Sequence, residues 1–598
     1  MNNFKVPLRD IEFALFDVFN FEEHCALYCP SLDAALIKAL LTENARFCES
    51  VLAPLLVVGD REGCRLKDGQ VITPTGFKAA YQQYCDAGWP SLSRATEFGG
   101  QGLLQSFGFV VNESMGAANY AWNMYPGLSQ GAMHTIETHG SGAQKQTYLP
   151  ALISGRWTGT MCLTEAHCGT DLGLLKTKAI PTDDGRYAIT GSKIFISSGD
   201  HDLAENIVHI VLARLPDAPA GTKGLSLFIV PKMTVHADGS LGDANGVSCG
   251  ALERKMGIHG NATCVLNFDG AIGTLLGEPH KGLNLMFTFM NLARLGAALQ
   301  GLAHAEVGLQ KSVAYSKTRL QGRSLSGIKN TTANADPIIV HPDVRRMLLT
   351  QKALTEGMRM LAYFAAKRVD VAHLAIDPAE RQHAQEMLSL ITPIAKGFMT
   401  EVGFECANLA LQCFGGHGYI TDWGVEQNLR DCRIASLYEG TTGVQALDLL
   451  GRKIMLSNGQ LLEQFAECLV SFCEASRDIA ELSPLIESLA KLHSEWLELT
   501  AAIDKRAQTN PDEVGAASVD YLMYCGYTLL AYLWARAAKV SLKALASGAG
   551  DDNFHRAKWE TARFYFERIL PRTKTLAATI NSGAANLMTL PAEHFWFE

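Results

Sequence analysis

The chain has 598 residues, 47% of them hydrophobic and 19% charged, with a formal net charge of −9. That composition suits a multidomain globular protein and excludes a dominant surface for nucleic acid or anionic membrane. Its 15 cysteines are scattered singly with no C-x-x-C pair, which argues for small buried thiols in a reducing compartment rather than a disulfide framework.

Met1 to Asp10 carry charge with no apolar core behind them, so no signal peptide is read and a cytoplasmic location is expected. Asp33 stands as a cap before Leu36, Leu40, Phe47 and Val51, which recur at helical spacing. Gly59-Asp60-Arg61-Glu62-Gly63 reads as a loop, and helical patterns then continue to about Gly155. From Tyr187 to Met233 the texture changes to short runs rich in Ile, Val and Phe. Ile207 to Leu215, Gly224 to Val230 and Cys264 to Phe268 are predicted strands. No βαβ alternation is present, so a compact β-barrel or sandwich is expected rather than a dinucleotide-binding sheet.

Helices return after Gly282: Leu283 to Lys317, then, past a polar stretch from Gly322 to Pro337, Pro342 to Val369 and Pro378 to Phe414. The segment from Ser457 onward is helical again, with breaks near Pro484, Asn510-Pro511 and Gly548. Tyr521 to Ala535 is apolar but stops at Arg536, short of the ~20 residues a span needs, so a buried helix is expected and no integral membrane segment. The expected class is α+β, divided as an N-terminal extension (1–35), an N-terminal helical domain (36–157), a central barrel-like β-domain (158–282), a C-terminal helical domain (283–456) and a helical C-terminal extension (457–598).

The sharpest local pattern is Leu437-Tyr438-Glu439-Gly440-Thr441-Thr442-Gly443. A carboxylate lies between an aromatic residue and a glycine, just before a capped helix start. Gly440 allows close approach of a ligand to the backbone, and Thr441 or Thr442 can cap the helix. By its own seven residues, Glu439 reads more readily as a surface carboxylate stabilised at a helix N-terminus than as a catalytic group. Elsewhere the pattern offers no H-E-x-x-H, no P-loop and no serine–histidine pair; His201 and His209 lack metal-ligand spacing, and no metal is expected.

Five segments in order nevertheless resemble the acyl-CoA dehydrogenase family. Tyr438-Glu439-Gly440-Thr441 is similar to its catalytic-base motif, and Gln412-Cys413-Phe414-Gly415-Gly416-His417-Gly418-Tyr419 to its flavin-contacting segment. Met161 to Asp171 resembles the T-E-x-x-x-G-[ST]-D signature, Lys193 to Gly199 the K-x-[WF]-I-[ST] turn, and Glu253 to Gly257 the E-x-K-x-G segment. Val6-Pro7-Leu8-Arg9-Asp10, the Gly59–Gly63 segment and the long C-terminal extension resemble the long bacterial subgroup that includes methylmercaptopropionyl-CoA dehydrogenases.

The resemblance implies FAD-dependent formation of a trans-2-enoyl-CoA, with Glu439 taking the α-proton and flavin N5 the hydride. Glu439's pKa is expected to rise on burial against flavin and acyl chain. For FAD it implies Met161, Leu163, Thr164, Thr170, Phe195, Ser197, Arg319, Gln412, Gly416 and Thr441, with Phe195 where many relatives have Trp. For substrate it implies Thr170, Asn291, Arg294 and Gly440; Asn291 stands where Asp is common, and Gly443 where relatives have Gln. Arg319 and the Gln412 to Gly416 segment would come from a neighbouring subunit, which implies at least a homodimer. Electron-transfer flavoprotein is the implied acceptor. An acyl-CoA oxidase, or a non-catalytic scaffold without flavin, is the alternative reading. His167 and His417 fall inside the motifs as flavin or substrate contacts, or as satisfied core histidines.

Overall fold

The computed structural model describes residues 4–236, 238–548 and 550–597. The chain forms two compact units, Met1–Val6 with Lys38–Gly296, and Pro7–Ile37 with Ala297–Glu598.

Two short helices open the chain, α1 (Leu8–Glu12) and α2 (Phe21–Tyr28), followed by α3 (Ala34–Phe47) and α4 (Ala53–Glu62). Asp33 caps α3 as predicted, its Oδ1 accepting from the Leu36 N–H at 2.8 Å. The expected stripe is only partly the buried one: Phe47 is buried, Leu40 and Val51 are half-buried and Leu36 is exposed, while Ile37, Leu41, Ala45 and Cys48 form the buried face. Both phases are apolar in this sequence, so spacing alone could not choose between them. Gly59 to Glu62, expected as loop, form the last turn of α4. A Cβ on Gly59 would lie 2.8 Å from the Phe77 ring, so this glycine serves close packing, and the chain leaves the helix at Gly63 with φ +60°.

After the hairpin β1 (Arg65–Lys67) and β2 (Gln70–Ile72), helices α5 (Phe77–Asp86), α6 (Gln105–Ala118), α7 (Tyr120–His139) and α8 (Gly142–Ile153) complete the helical part of the first unit. Ser141 and Gln144 form a capping box at the start of α8. The β-domain follows: β3 (Trp157–Cys162), β4 (Lys178–Pro181), β5 (Tyr187–Ser197), β6 (Asn206–Arg214), β7 (Leu225–Pro231), the small pair β8 (Met233–Val235) and β9 (Leu241–Ala244), β10 (Val247–Leu252) and β11 (Thr263–Leu276).

The expected barrel-like arrangement is present. β11 pairs with β5, β5 with β4, β4 with β6, β6 with β7, and β7 again with β11, closing a circuit of five strands. β10 extends β11 and β3 runs parallel to β6 on the outside of that circuit. Ile189, Ile196, Val211, Phe228, Val230 and Leu266 fill one side of this sheet. Closure removes exposed edges, which open sheets must otherwise protect. β11 is far longer than the expected Cys264 to Phe268, because it pairs with three partners in succession.

Helix α9 (Gly282–Thr318) leaves the β-domain; beyond Gly296 it belongs to the second unit. There it joins α10 (Pro342–Leu374), α11 (Pro378–Cys413), α12 (Val425–Arg433), α13 (Thr442–Leu447), α14 (Gln460–Glu474), α15 (Ser483–Ala507), α16 (Asp512–Ser547), α17 (Asp552–Phe564) and α18 (Arg572–Asn581). The polar stretch before α10 is organised by buried Asp336, which accepts the N–H groups of Ser324, Lys329 and Asn330. Tyr521 to Ala535 lie inside α16 and are almost wholly buried, and no described helix is long and apolar enough to cross a membrane.

The N-terminal extension packs with the C-terminal one, a pairing invisible in the sequence. Phe13 meets Phe554 edge-on at 5.4 Å, and Lys558 bridges Asp10 and Glu356. Arg536 donates to the Val18 carbonyl at 2.9 Å.

Candidate active site

In the β-domain, the end of β3 and the turn in β5 are bound into one surface by a buried ion pair. Lys193 Nζ lies 2.9 Å from Glu165 Oε1 and 2.9 Å from the Leu163 carbonyl. Glu165 also accepts from the Lys176 and Thr177 N–H groups and from the Thr177 hydroxyl. Burial pushes the Glu165 carboxyl up, but the Lys193 ammonium and these donors outweigh it and hold the group at about 2. The Ile194 N–H donates to the Thr164 carbonyl at 2.9 Å. Met161, Leu163 and Thr164 are therefore held directly beside Phe195 and Ser197. The pair itself sits inside two motifs, yet its clamping role had no signature beyond two opposite charges in apolar company.

Phe195 owes its exposure to a bulge. Lys193 pairs with Leu266 and Ile196 with Cys264, so Ile194 and Phe195 together oppose one residue of β11. Phe195 takes φ +59° and the residue is 59% exposed, while its neighbour Ile196 is buried. A bulky residue in the left-handed region costs of order 1–3 kcal/mol and marks sites where function dictates backbone. Thr170 lies on the exposed loop after β3, and Ser197 is half-buried at the end of β5. On α9, Arg294 is buried and donates to Asn291 Oδ1 at 3.3 Å, with Phe287 beside its guanidinium. Glu165, His167 and Cys168 are close enough to suggest a metal site, but both Glu165 oxygens are occupied and His167 Nε2 lies 2.9 Å from the Leu174 carbonyl.

In the helical unit, the Glu439 loop is held from four sides. Glu439 and Gly440 are successive left-handed residues, with φ +57° and +87°. The Glu439 carbonyl accepts from Gln445 Nε2 at 3.0 Å, and the Gly440 carbonyl accepts from Lys396 Nζ at 2.5 Å. The Tyr438 hydroxyl donates to Gln300 Oε1 at 2.5 Å, and the Thr442 hydroxyl donates to Glu401 Oε1 at 2.5 Å. Thr441 caps α13 by accepting the Val444 N–H at 3.3 Å. A Cβ on Gly440 would meet Gln445 Nε2 at 2.5 Å, so both conformation and space demand glycine. Gln300, Lys396, Glu401 and Gln445 are the residues that sequence reasoning missed. Lys396 alone left a trace, as the single charge in the run from Leu388 to Thr400.

A second cluster joins the end of α9 to the end of α11. Tyr315 stacks on Phe414 at 4.2 Å and its hydroxyl lies 2.9 Å from His417 Nδ1, while His417 stacks on Trp423 at 4.5 Å. This knot brings Arg319, one turn beyond Tyr315, towards the segment carrying Gln412 and Gly416, and all three are exposed. The Arg319 guanidinium makes no hydrogen bond or ion pair among the described residues. Within this unit His417 thus has a structural role through Nδ1 and its ring face.

Comparison with known proteins follows the same layout. Family models for the acyl-CoA dehydrogenase N-terminal domain, middle domain and C-terminal domain match residues 37–156, 160–271 and 280–455. A model described as acetyl-CoA dehydrogenase C-terminal like matches residues 462–591. The chain is 41% identical to a 3-methylmercaptopropionyl-CoA dehydrogenase of Ruegeria pomeroyi over 98% of this chain and 99% of the relative. It is 34% identical to a broad-specificity linear acyl-CoA dehydrogenase of Mycobacterium tuberculosis over 100% of both. A solved acyl-CoA dehydrogenase from Bacillus anthracis complexed with FAD shares the fold with a TM-score of 0.73, at 19% identity over 94% of this chain and 90% of that one.

Proposed function

The chain belongs to the acyl-CoA dehydrogenase family, and from that membership we propose how its residues divide the work of an FAD-dependent α,β-dehydrogenation of an acyl-CoA thioester. Glu439 is the base. Its carboxylate takes the α-proton and becomes a neutral acid as the α,β double bond of the trans-2-enoyl-CoA forms. What supports this assignment is a carboxylate placed on two consecutive left-handed residues whose carbonyls are both gripped, by Gln445 and by buried Lys396. Such immobilisation makes sense for a group that must meet a weakly acidic proton in one geometry. Gly440 clears space for the thioester carbonyl to reach the backbone N–H of Glu439, where developing negative charge is stabilised.

The residues present fit FAD. The outward ring of Phe195 suits a flat apolar ligand, and the exposed guanidinium of Arg319 suits a pyrophosphate. Met161, Leu163, Thr164, Thr170, Phe195, Ser197 and Thr441 would hold one cofactor, with Arg319, Gln412 and Gly416 supplied by a second subunit of a homodimer. When bound, FAD supplies the acceptor for the hydride leaving the β-carbon. Arg294 and Asn291, with Thr170, would hold the CoA portion.

Electron-transfer flavoprotein is the proposed electron acceptor, in cytoplasmic fatty-acid β-oxidation. Faster flavin reoxidation by a one-electron acceptor than by air would support that acceptor; rapid peroxide formation would replace it with oxygen. Glu439→Gln tests the base: FAD content and thioester binding should persist while anaerobic flavin reduction falls by orders of magnitude. Near-normal reduction would overturn the assignment. A graded series of acyl-CoAs including 3-methylmercaptopropionyl-CoA, scored by flavin bleaching, reads the acyl preference.

A further inference from the structure

A cavity of about 670 Å³ opens in the helical unit among α14, α16, His383 near the start of α11, and Val18 of the N-terminal tail. Its volume falls within the ~300–1,000 Å³ of small-ligand sites. Arg536, Lys539 and Lys543 project from one face of α16 onto its wall, where Glu467 is the carboxylate present. Lys367 and Arg368 of α10 stand close enough to Arg536 to feel its charge.

The partners of these cations are neutral. Arg536 donates to the Val18 carbonyl and lies over the Phe19 and Tyr532 rings. Lys539 donates to the Ala475 carbonyl and the Ser476 hydroxyl. Lys367 donates to the Phe19 carbonyl and Arg368 to the Phe364 carbonyl. Among the described residues none of the five makes an ion pair. Their charges consequently strain one another. Burial, then Arg536 and Arg368, lowers Lys367 to about 8, and burial, then Lys543 and Arg536, lowers Lys539. A bound anion would relieve that repulsion.

The rest of the wall is amphipathic. Phe472, Tyr532, Val540 and Val18 offer apolar and aromatic surface, and Gln464 donates through Nε2 to Glu386 at 2.7 Å. Phosphate oxygens would meet the α16 cations, and an aromatic ring would meet Phe472 or Tyr532. We propose that this cavity binds a phosphorylated nucleoside, as a free nucleotide or as the head group of a second CoA thioester, at a site separate from Glu439.

Titration calorimetry on the FAD-loaded protein tests this, with ADP and CoA as probes. Lys543 is exposed and its side chain makes no hydrogen bond or ion pair among the described residues, so Lys543→Glu should fold with its flavin spectrum and thioester-driven bleaching unchanged. The expected result is that one probe loses at least tenfold in affinity in Lys543→Glu and in Lys539→Gln, with binding that weakens as salt rises. Loss for ADP assigns a free nucleotide; loss for CoA alone assigns the thioester head group. Absence of binding of both probes at millimolar concentration, or affinities unchanged in both variants, would overturn the site.

Discussion

Gly440 carries two constraints at once, a φ of +87° and a neighbour that leaves no room for a side chain. Gly440→Ala should therefore either twist the loop or displace Gln445, the donor that fixes the Glu439 carbonyl. We expect flavin reduction to slow by about a hundredfold or more, the order found when reacting groups are misplaced by ~1 Å, with the flavin spectrum intact. Lys396→Met separates positioning from chemistry. It removes the donor to the Gly440 carbonyl and leaves a buried acceptor unpaired, at a cost of about 1–3 kcal/mol. Stopped-flow reduction should show the rate constant falling more than the affinity for thioester, and a unchanged pair of values would refute a positioning role. Glu439 and Gly440 were singled out only through the ordered resemblance of five segments, because their own seven residues also read as a surface carboxylate before a helix. Their supports were not, because Gln300, Lys396 and Glu401 reach the loop from distant helices, and helical spacing says nothing about which loop a helix will face.

At the level of elements, apolar periodicity located α9, α10 and α11 closely, since long helices leave strong marks, reinforced for α10 and α11 by a proline in the first turn. It did less well where two apolar phases compete, as on α3, and where a glycine serves packing, as Gly59 does in α4. The bulge in β5 was equally hidden: the K-x-[WF]-I-S pattern names Phe195, but only pairing with β11 shows why it faces outward. The least legible element is the N-terminal tail, whose anchor is the buried group Asp10, Glu356 and Lys558. Although burial opposes it, Lys558 and its neighbours Arg359 and Lys352 hold Asp10 at about 2. Lys558→Met removes the ammonium shared by half-buried Asp10 and buried Glu356 but leaves Glu356 its ion pair with Lys352, so the loss should fall below the ~3–5 kcal/mol of a fully broken buried pair. Limited proteolysis should then cut before Ile37 at protease levels that leave the parent chain whole. An uncut tail in that variant would show that Phe13 packing, not the ion group, holds it.

Across the whole molecule, both units contain groups that acid must attack. Burial holds His201 and His209 in the first unit at about 3, and His304 in the second at about 4, all below the ordinary 6.5. Each is neutral in the fold, so the unfolded chain binds the proton first. Their contribution is complete above pH 6.5 and is lost as pH falls towards the folded values, at about 1.4 kcal/mol per pH unit for each proton. Glu165 in the first unit and Asp10 in the second then add carboxylates held at about 2, whose contribution is present above about pH 4 and fades between there and pH 2. Stability should therefore begin to decline just below pH 6.5, by up to about 4 kcal/mol per pH unit for the three protons together. The two carboxylates extend that loss below about pH 4, with neither unit spared. Replacing a histidine discriminates this account from general charge repulsion. His304 Nδ1 lies 2.8 Å from Asn428 Oδ1, so His304→Gln can retain a donor to that oxygen while removing the titration. Its melting temperature, followed by tryptophan fluorescence, should vary less between pH 6.5 and 4 than that of the parent chain, and the two curves should run parallel above pH 7. Equal slopes in the acid range would assign the loss to other groups.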